Sequence, residues 1–470
     1  MIVFLIIAVV CLCALYAFVQ YVQKEPAKQK QLGTNVNIGS FLNIEDFFNE
    51  SEQKPNETEN VSGGLQGKTL HPVILEPLAQ NFSSEGHLVK ILSETNRQPV
   101  ETITTFRQSF VRDEDFAFMQ NSGVKKVRLP VGWWIFAFSA AGSSVEGQLE
   151  TSVLVTDPYS NGQVQQVCGT RCLLEGFLRR AKAHNLTVLI DLHALQGGSS
   201  RGSYNGVSGI IHEPVFWNKE VVPEGFNPSH FVDHPEEYTQ AHGLKTWVDI
   251  LRWVKGLGPE LAGTVSGVCP MNEPAHLLPQ YREKMLSWLA AAVQVYRHFF
   301  YDQQTAQFQP NAPRLYVNLI ETTWKDSTTE FEEDAANFMH THCQGIPKDL
   351  VSLDVHKYIA WDDRTNTPPS SLVQNVEPAF AEYVATVARR KALCQDKYGL
   401  AVSEWSAAWT NISSSAVQFP EYRKLAGKLF KYQVETFGQD MELFFWSLKM
   451  PGGHTHRPFW SLEYLSKEIL

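Results

Sequence analysis

The sequence predicts an α/β fold, a (β/α)8 TIM barrel that forms a single catalytic domain behind an N-terminal hydrophobic segment. Three observations predict it. Short apolar runs recur along the chain, and most are apolar throughout, the pattern of strands covered on both faces of a parallel sheet. Stretches with helical spacing separate them. The runs number eight, which suits a closed barrel better than an open sheet.

The N-terminus lies outside that unit. Ile2 to Val19 is an uninterrupted apolar run of about 18 residues, the lower limit for a membrane-spanning helix. Residues 1–23 therefore read as a signal anchor or a signal peptide, followed by a polar linker over 24–33 and the catalytic body over 34–470. No Lys or Arg precedes the run, whereas Lys24, Lys28 and Lys30 follow it, and counted strictly that balance leaves the body in the cytosol. Five Asn-x-Ser/Thr sequons, at Asn56, Asn60, Asn81, Asn185 and Asn411, point to the secretory pathway. The expectation is an extracellular or cell-surface body, with Ile2–Val19 as the candidate membrane tether.

The body reads in order as follows. Asn35 to Leu42 is the first strand, and Glu45 to Gly64 is an acidic exposed loop. Leu70 to Ser93 adds a strand and a short helix. Arg112 to Asn121 has helical spacing through Phe116, Phe118 and Met119; Gly123 caps it, and Val124 to Val131 is the second strand. Helix Cys172 to Ala183 leads to strand Leu186 to Leu192, and helix Leu244 to Lys255 to the apolar fourth strand that runs from Val265 to Asn272. Helix Gln280 to Phe300 precedes strand Leu315 to Ile320, and helix Phe331 to Met339 precedes strand Leu350 to Val355. Helix Val373 to Ala392 precedes strand Tyr398 to Ser403, helix Glu421 to Thr436 precedes strand Met441 to Trp446, and Leu462 to Ile469 closes as a helix. Pro270 falls inside the fourth strand, where it predicts a bulge or a local break in pairing.

A barrel of this kind carries its chemistry at the C-terminal ends of its strands. There the sequence places Arg128, Asp191 with His193, Asn272 with Glu273, Asp354 with His356 and Tyr358, Glu404, and Trp446. Any one of them has a structural explanation, such as an ion pair or a satisfied core histidine. Their convergence at one end of the barrel points to a site. Glu273 and Glu404, on strands four and seven, face each other across a small barrel. Two carboxyl groups flanking one bond is what glycosidic cleavage requires: one protonates the leaving oxygen, and the other attacks or stabilises the oxocarbenium-like centre. In the retaining arrangement they stand about 5–5.5 Å apart. Arg128 near Glu404 is expected to hold that carboxyl ionised, and apolar surroundings with the charge of Glu404 to keep Glu273 protonated.

The sequence resembles glycoside hydrolase family 5, most of all its exo-β-1,3-glucanase branch. The motifs that carry the resemblance are NIGSFL, FVRDEDFAFMQNSGVKKVRLPVGWW, IDLH, MNEP, LDVHKY, SEWSAAW, FFWSLK and FWSLE, spread over residues 34 to 465. The resemblance implies Glu273 as general acid/base and Glu404 as nucleophile, steadied by Arg128 and Tyr358. It implies that Asn272 bonds the sugar 2-hydroxyl, that His193 and His356 line the −1 subsite, and that Trp446 stacks under that sugar. It implies a β-glucan as substrate partner, with an endo-β-glucanase, a glycolipid-type β-glycosidase or a non-catalytic glucan-binding protein as the alternatives. The loop Ala194 to Gly202 departs from the branch and bears on linkage preference, and Lys357 replaces a residue that is often aromatic or His there. Trp133, Trp134, Trp324, Trp361, Trp405 and Trp409 stand as candidate sugar platforms, of which one or two are expected to line the groove.

Other chemistries are disfavoured. A net charge of −10 argues against a nucleic-acid partner. No HExxH or CxxC occurs, and His454 with His456 lacks a third ligand, so neither a metal nor another cofactor is expected. Outside the N-terminal run five cysteines remain: Cys168 with Cys172 and Cys343 with Cys394 are candidate pairs, and Cys269 is a core thiol.

Overall fold

The computed structural model describes residues 31–46, 82–137, 151–324, 328–361, 375–408, 420–450 and 457–470. Eight strands close a parallel barrel: β1 (Asn35–Asn37), β2 (Lys126–Gly132), β3 (Thr187–Ala194), β4 (Val265–Cys269), β5 (Arg314–Asn318), β6 (Val351–His356), β7 (Gly399–Trp405) and β8 (Glu442–Phe445). Each pairs with its sequence neighbour, and β8 returns to β1 through Asn35 opposite Phe444. This is a (β/α)8 TIM barrel, as the apolar runs predict.

Helices wrap the sheet: α1 (Glu85–Glu94), α2 (Pro99–Phe110), α3 (Asp113–Asn121), α4 (Arg171–Ala183), α5 (His242–Lys255), α6 (Arg282–Phe300), α7 (Thr328–His342), α8 (Glu377–Leu393) and α9 (Pro420–Phe437). Their ends follow ordinary capping chemistry. Ser84 and Thr170 accept from the backbone N–H groups of His87 and Leu173 at the starts of α1 and α4. Pro99 opens α2, where its missing N–H costs nothing. After α3, Gly123 takes φ +80° and its N–H returns to the Gln120 carbonyl, a conformation that favours glycine. In α5, Leu244, Trp247, Val248, Ile250 and Leu251 are all buried, the face that the 3.6-residue period demands.

Alternate residues of a strand go to opposite sides of the barrel wall. In β3, Val188 and Ile190 join the large core between sheet and helices. Leu189 between them joins Cys269, Tyr316, Ala401 and Phe444 in a separate cluster inside the barrel. The N-terminal mouth is closed by a polar plug. Lys126 Nζ lies 2.8 Å from Glu442, Tyr316 donates to that carboxylate, and Arg314 Nη1 stands 3.5 Å from it. The polar chemistry left over therefore gathers at the other end.

Several expectations are corrected. The first strand stops at Asn37, because the chain turns through Ser40 at φ +58°. Leu42 makes only an isolated bridge to Val131. Strand β4 ends at Cys269, so Pro270 lies just beyond the ladder and breaks no pairing; the irregularity with β3 falls earlier, between Val188 and Leu189. Cys168, Cys172, Cys343 and Cys394 are free thiols rather than pairs, and Cys168 Sγ instead accepts from the Val153 N–H at 3.2 Å. Cys269 is buried as expected, and burial pushes its thiol well up. The final helix breaks into Leu462–Tyr464 and a wider turn over Leu465–Ile469. Helix α2 and the hairpins Leu154–Thr156 with Gln165–Val167 and Tyr301–Asp302 with Gln307–Phe308 are additions that the sequence reading lacked.

Residues 1–30, 47–81 and 409–419 lie outside the described residues, and with them Ile2–Val19, Asn56, Asn60, Asn81, Asn411 and the strand expected after Leu70. Among the described residues no helix is long and apolar enough to cross a membrane. Asn185 is exposed, in the turn between α4 and β3.

Candidate active site

Arg128 organises the C-terminal mouth of the barrel. Its side chain is fully buried on β2. Nη1 donates to Glu404 Oε1 at 2.6 Å and to Asn37 Oδ1 at 2.9 Å. Nη2 donates to Asn272 Oδ1 at 2.6 Å and lies 3.0 Å from Asp191 Oδ2. Burial opposes its charge and is outweighed by Asp191 and Glu404, so the guanidinium stays cationic. One side chain thus ties together the ends of strands β1, β2, β3, β4 and β7.

Asp191 carries the arrangement onward. Its Oδ2 lies 2.6 Å from His193 Nδ1, which directs His193 Nε2 toward Asn272 Nδ2 at 3.5 Å. Burial works to raise the Asp191 carboxyl, and the charge of Arg128 with the His193 hydrogen bond brings it below its ordinary value. The His193 ring stacks on Trp446 at 5.6 Å between centroids with 6° between planes. The Trp446 indole is therefore held flat at the rim, on the end of β8.

Glu404 and Glu273 sit across this pocket, 5% and 7% exposed. One carboxylate oxygen of each and a ring nitrogen of His356 lie within 4.8 Å of one another. Glu404 takes Arg128 on Oε1 and the Tyr358 hydroxyl on Oε2 at 2.8 Å. Glu273 stands in a backbone conformation of φ +39°, uncommon for a side-chain-bearing residue, where its N–H donates to Asn318 Oδ1 at 2.9 Å. Its Oε1 lies 2.8 Å from His356 Nδ1, and its Oε2 accepts from the Tyr204 hydroxyl.

The charge state expected for Glu273 is corrected here. Burial does act to raise its carboxyl. The nearby His276, the hydrogen bond and charge of His356, and the Tyr204 hydroxyl outweigh it, and hold the group below the usual carboxylate range. His356 moves the opposite way: burial lowers it, but Glu404 and Glu273 raise it above an ordinary histidine. Of the neighbours that set these directions, His276 lies three residues on in the same loop, whereas His356 at the end of β6 and Tyr204 in the loop after β3 come from elsewhere in the chain.

All eight residues singled out from the sequence, Arg128, His193, Asn272, Glu273, His356, Tyr358, Glu404 and Trp446, meet at this mouth. Two more were missed. Tyr204 comes from the loop after β3, just past the stretch Ala194 to Gly202, and it is held by Asn43 Nδ2 donating to its carbonyl at 2.8 Å. Glu45, beyond β1, is buried; burial and the charges of Glu404 and Asp46 push its carboxyl well up. A carboxylate in the NIGSFLNIE segment, next to an apolar run that ends at the barrel mouth, was the available signal.

Of the six candidate platforms, the four whose side chains are described pack into the core, as expected of all but one or two. Trp133 and Trp134 meet edge-on and are buried, Trp324 bonds Asp334 at 2.8 Å, and Trp405 packs on Phe430 and Phe445. These four are core rather than groove. Trp409, the Trp361 side chain, His454 and His456 lie outside the described residues. Trp460, not among the candidates, lies 5.3 Å from the Tyr358 ring beside the pocket. Lys357 turns away, its Nζ over the Tyr383 ring at 5.3 Å.

No protein-family model matches the chain. It is 25% identical over 243 residues, 51% of this chain and 41% of the relative, to a glucan 1,3-beta-glucosidase of Schwanniomyces occidentalis. It is 20% identical over 326 residues, 67% of this chain and 55% of the relative, to glucan 1,3-beta-glucosidase 2 of Candida albicans. The match thus spans roughly half the length of these relatives. Among solved structures, the rutinosidase from Aspergillus niger superposes with a TM-score of 0.54 at 15% identity, over 94% of this chain and 98% of that one. The resemblance read from the motifs is borne out by these relatives, and the superposition bears out the barrel.

Proposed function

We propose that this chain is a retaining β-glycosidase that acts on β-1,3-glucan from a chain end. The observation that carries the reading is the pair Glu273 and Glu404, buried on opposite strands with oxygens within 4.8 Å and His356 between them. That separation favours the retaining geometry, since an inverting pair stands about 6.5–9.5 Å apart to admit a water.

Glu404 is the nucleophile. Arg128 and Tyr358 each donate to one of its oxygens, which keeps it ionised and aims it. Glu273 is the general acid, then the general base. The proton it needs lies one hydrogen bond away, on His356 Nδ1. In the first step Glu404 attacks the anomeric carbon, the glycosidic bond breaks, and the leaving oxygen takes a proton from Glu273. In the second, Glu273 takes a proton from water, whose oxygen displaces Glu404. Asn272, held by Arg128, is in place for the sugar 2-hydroxyl, and Trp446, braced by His193, for the flat face of the ring.

The similarity to two yeast glucan 1,3-beta-glucosidases supports the substrate class. The exposed sequon at Asn185 supports an exported body, with Ile2–Val19 as its leader or tether. Incubating the purified body with laminarin and sizing the products tests the reading. Glucose as the first product is expected. Longer oligosaccharides would make the enzyme endo-acting, and binding without hydrolysis of any β-glucan or aryl β-glucoside would make it a glucan-binding protein.

A further inference from the structure

Behind His356 runs a chain of hydrogen bonds that the reaction as written leaves unused. Asp354, on β6 and fully buried, receives three donors. Ser403 N–H reaches Oδ1 at 2.9 Å, Asn318 Nδ2 reaches Oδ2 at 2.9 Å, and the Ser403 hydroxyl reaches Oδ2 at 2.6 Å. The last distance is that of a hydroxyl bonded to a charged carboxylate. Ser403 has one hydroxyl proton, and Asp354 takes it. Toward His356 Nε2, 3.1 Å away, Ser403 Oγ can only accept. The neutral ring must therefore carry its proton on Nε2. That leaves Nδ1 as the nitrogen that gains and loses a proton, 2.8 Å from Glu273 Oε1 and 3.5 Å from Glu404 Oε2.

We propose that Ser403, anchored on Asp354, is a positioning residue that locks His356 in its Nε2–H form, so that Nδ1 and Glu273 Oε1 share the single proton used in catalysis. When Glu273 needs a proton, the lone pair on Oε1 takes it from Nδ1–H and the ring becomes neutral. When Glu273 has drawn a proton from water, Nδ1 takes it back. The ring gains no net charge over a full cycle, and no outside acid is needed. The groups facing the ring are Arg128 from β2, Asp191 from β3, Glu273 beyond β4, Asp354 on its own strand and Glu404 on β7. The carboxylates among them favour the imidazolium, and Arg128 opposes it.

The use of the shared proton rests on the glycosidase reading, whereas the tautomer does not, and the two are tested together. Ring 15N shifts of His356 are followed through a pH titration in wild type, Ser403→Ala and Ser403→Thr, alongside kcat/KM on aryl β-glucosides. In wild type Nε2 is expected to stay protonated throughout while Nδ1 titrates. Ser403→Ala removes one of the two acceptors of the imidazolium. Its ring should show the Nδ1–H tautomer, and the alkaline limb of kcat/KM should fall by about one pH unit. Ser403→Thr, which keeps the hydroxyl, should restore both. A neutral wild-type ring protonated on Nδ1 overturns the proposal without any variant, and so does an unmoved tautomer and limb in Ser403→Ala. A wild type with the Nε2–H ring that cleaves no β-glucoside overturns the glycosidase reading and the shared-proton role, and leaves the Ser403 lock standing.

Discussion

His356 Nδ1 lies 2.8 Å from Glu273 Oε1, closer than any other titratable nitrogen is to that carboxyl among the described hydrogen bonds and ion pairs. The contact couples two groups whose ordinary values differ, so one proton belongs to the pair rather than to either residue. Burial would drive the ring neutral, but Glu404 and Glu273 raise it. The pair loses its proton only as pH rises past the ordinary histidine value of about 6.5. The alkaline limb of kcat/KM is therefore expected above that value. His356→Gln leaves Glu273 to hold the proton alone, beside Tyr204 and His276, and should move the limb down by about one unit or more. A limb that does not move in this variant would remove His356 from the proton inventory.

Removing the nucleophile gives a chemical signature. Glu404→Ala should cost about 10⁴-fold or more in kcat, because Arg128 and Tyr358 then aim at nothing. Azide, small enough for the vacated volume, should restore part of the activity on an activated aryl β-glucoside and yield the α-glycosyl azide. Near-normal turnover in the variant, or a β-azide, would reject the assignment.

Removing the acid should depend on the leaving group. Glu273→Ala is expected to slow substrates with poor leaving groups by about 10²–10⁴-fold, and to spare the glycosylation step for good ones. Steady-state rates across a series of aryl β-glucosides measure it. An equal loss along the whole series would count against an acid role.

Glu45 offers a test in stability. Burial and the charge of Glu404 raise its carboxyl in the folded state. A group with a raised folded value holds its proton more tightly when folded. Its contribution is therefore complete below the unfolded value of about 4.3 and is lost as pH rises through the folded one. At neutral pH Glu45→Gln should remove that cost, adding about 1–2 kcal/mol and a degree or more to Tm. The gain should vanish near pH 4. A loss of Tm at pH 7 would show that the carboxylate is better compensated than burial implies.

The barrel was legible because its strands are buried on both faces, so runs such as LTVLIDL and LFFW announce themselves without long-range information. The eight site residues were legible for a related reason: each lies on a barrel strand or within four residues of its end. What was hidden came from loops. Tyr204 reaches Glu273 from a stretch whose residue spacing carries no period, and its reach depends on Asn43 holding its carbonyl. The charge state of Glu273 was misread because it is set by Tyr204, His276 and His356, distant or off-strand neighbours whose approach only the fold creates. The tryptophans were harder to sort from sequence. Position beyond a strand end is shared by groove and core, and packing alone sent Trp134 and Trp405 inward.

The most direct test of the central claim is covalent. The enzyme is incubated with 2,4-dinitrophenyl 2-deoxy-2-fluoro-β-glucoside, in which fluorine slows release of the enzyme-bound sugar more than its formation, and the protein is digested and sequenced by mass spectrometry. The account predicts a single fluoroglucosyl adduct on Glu404, in the segment AVSEWSAAW, with activity lost in step with labelling. An adduct on Glu273, or full turnover of ordinary β-glucosides with no adduct at any carboxylate, would contradict it.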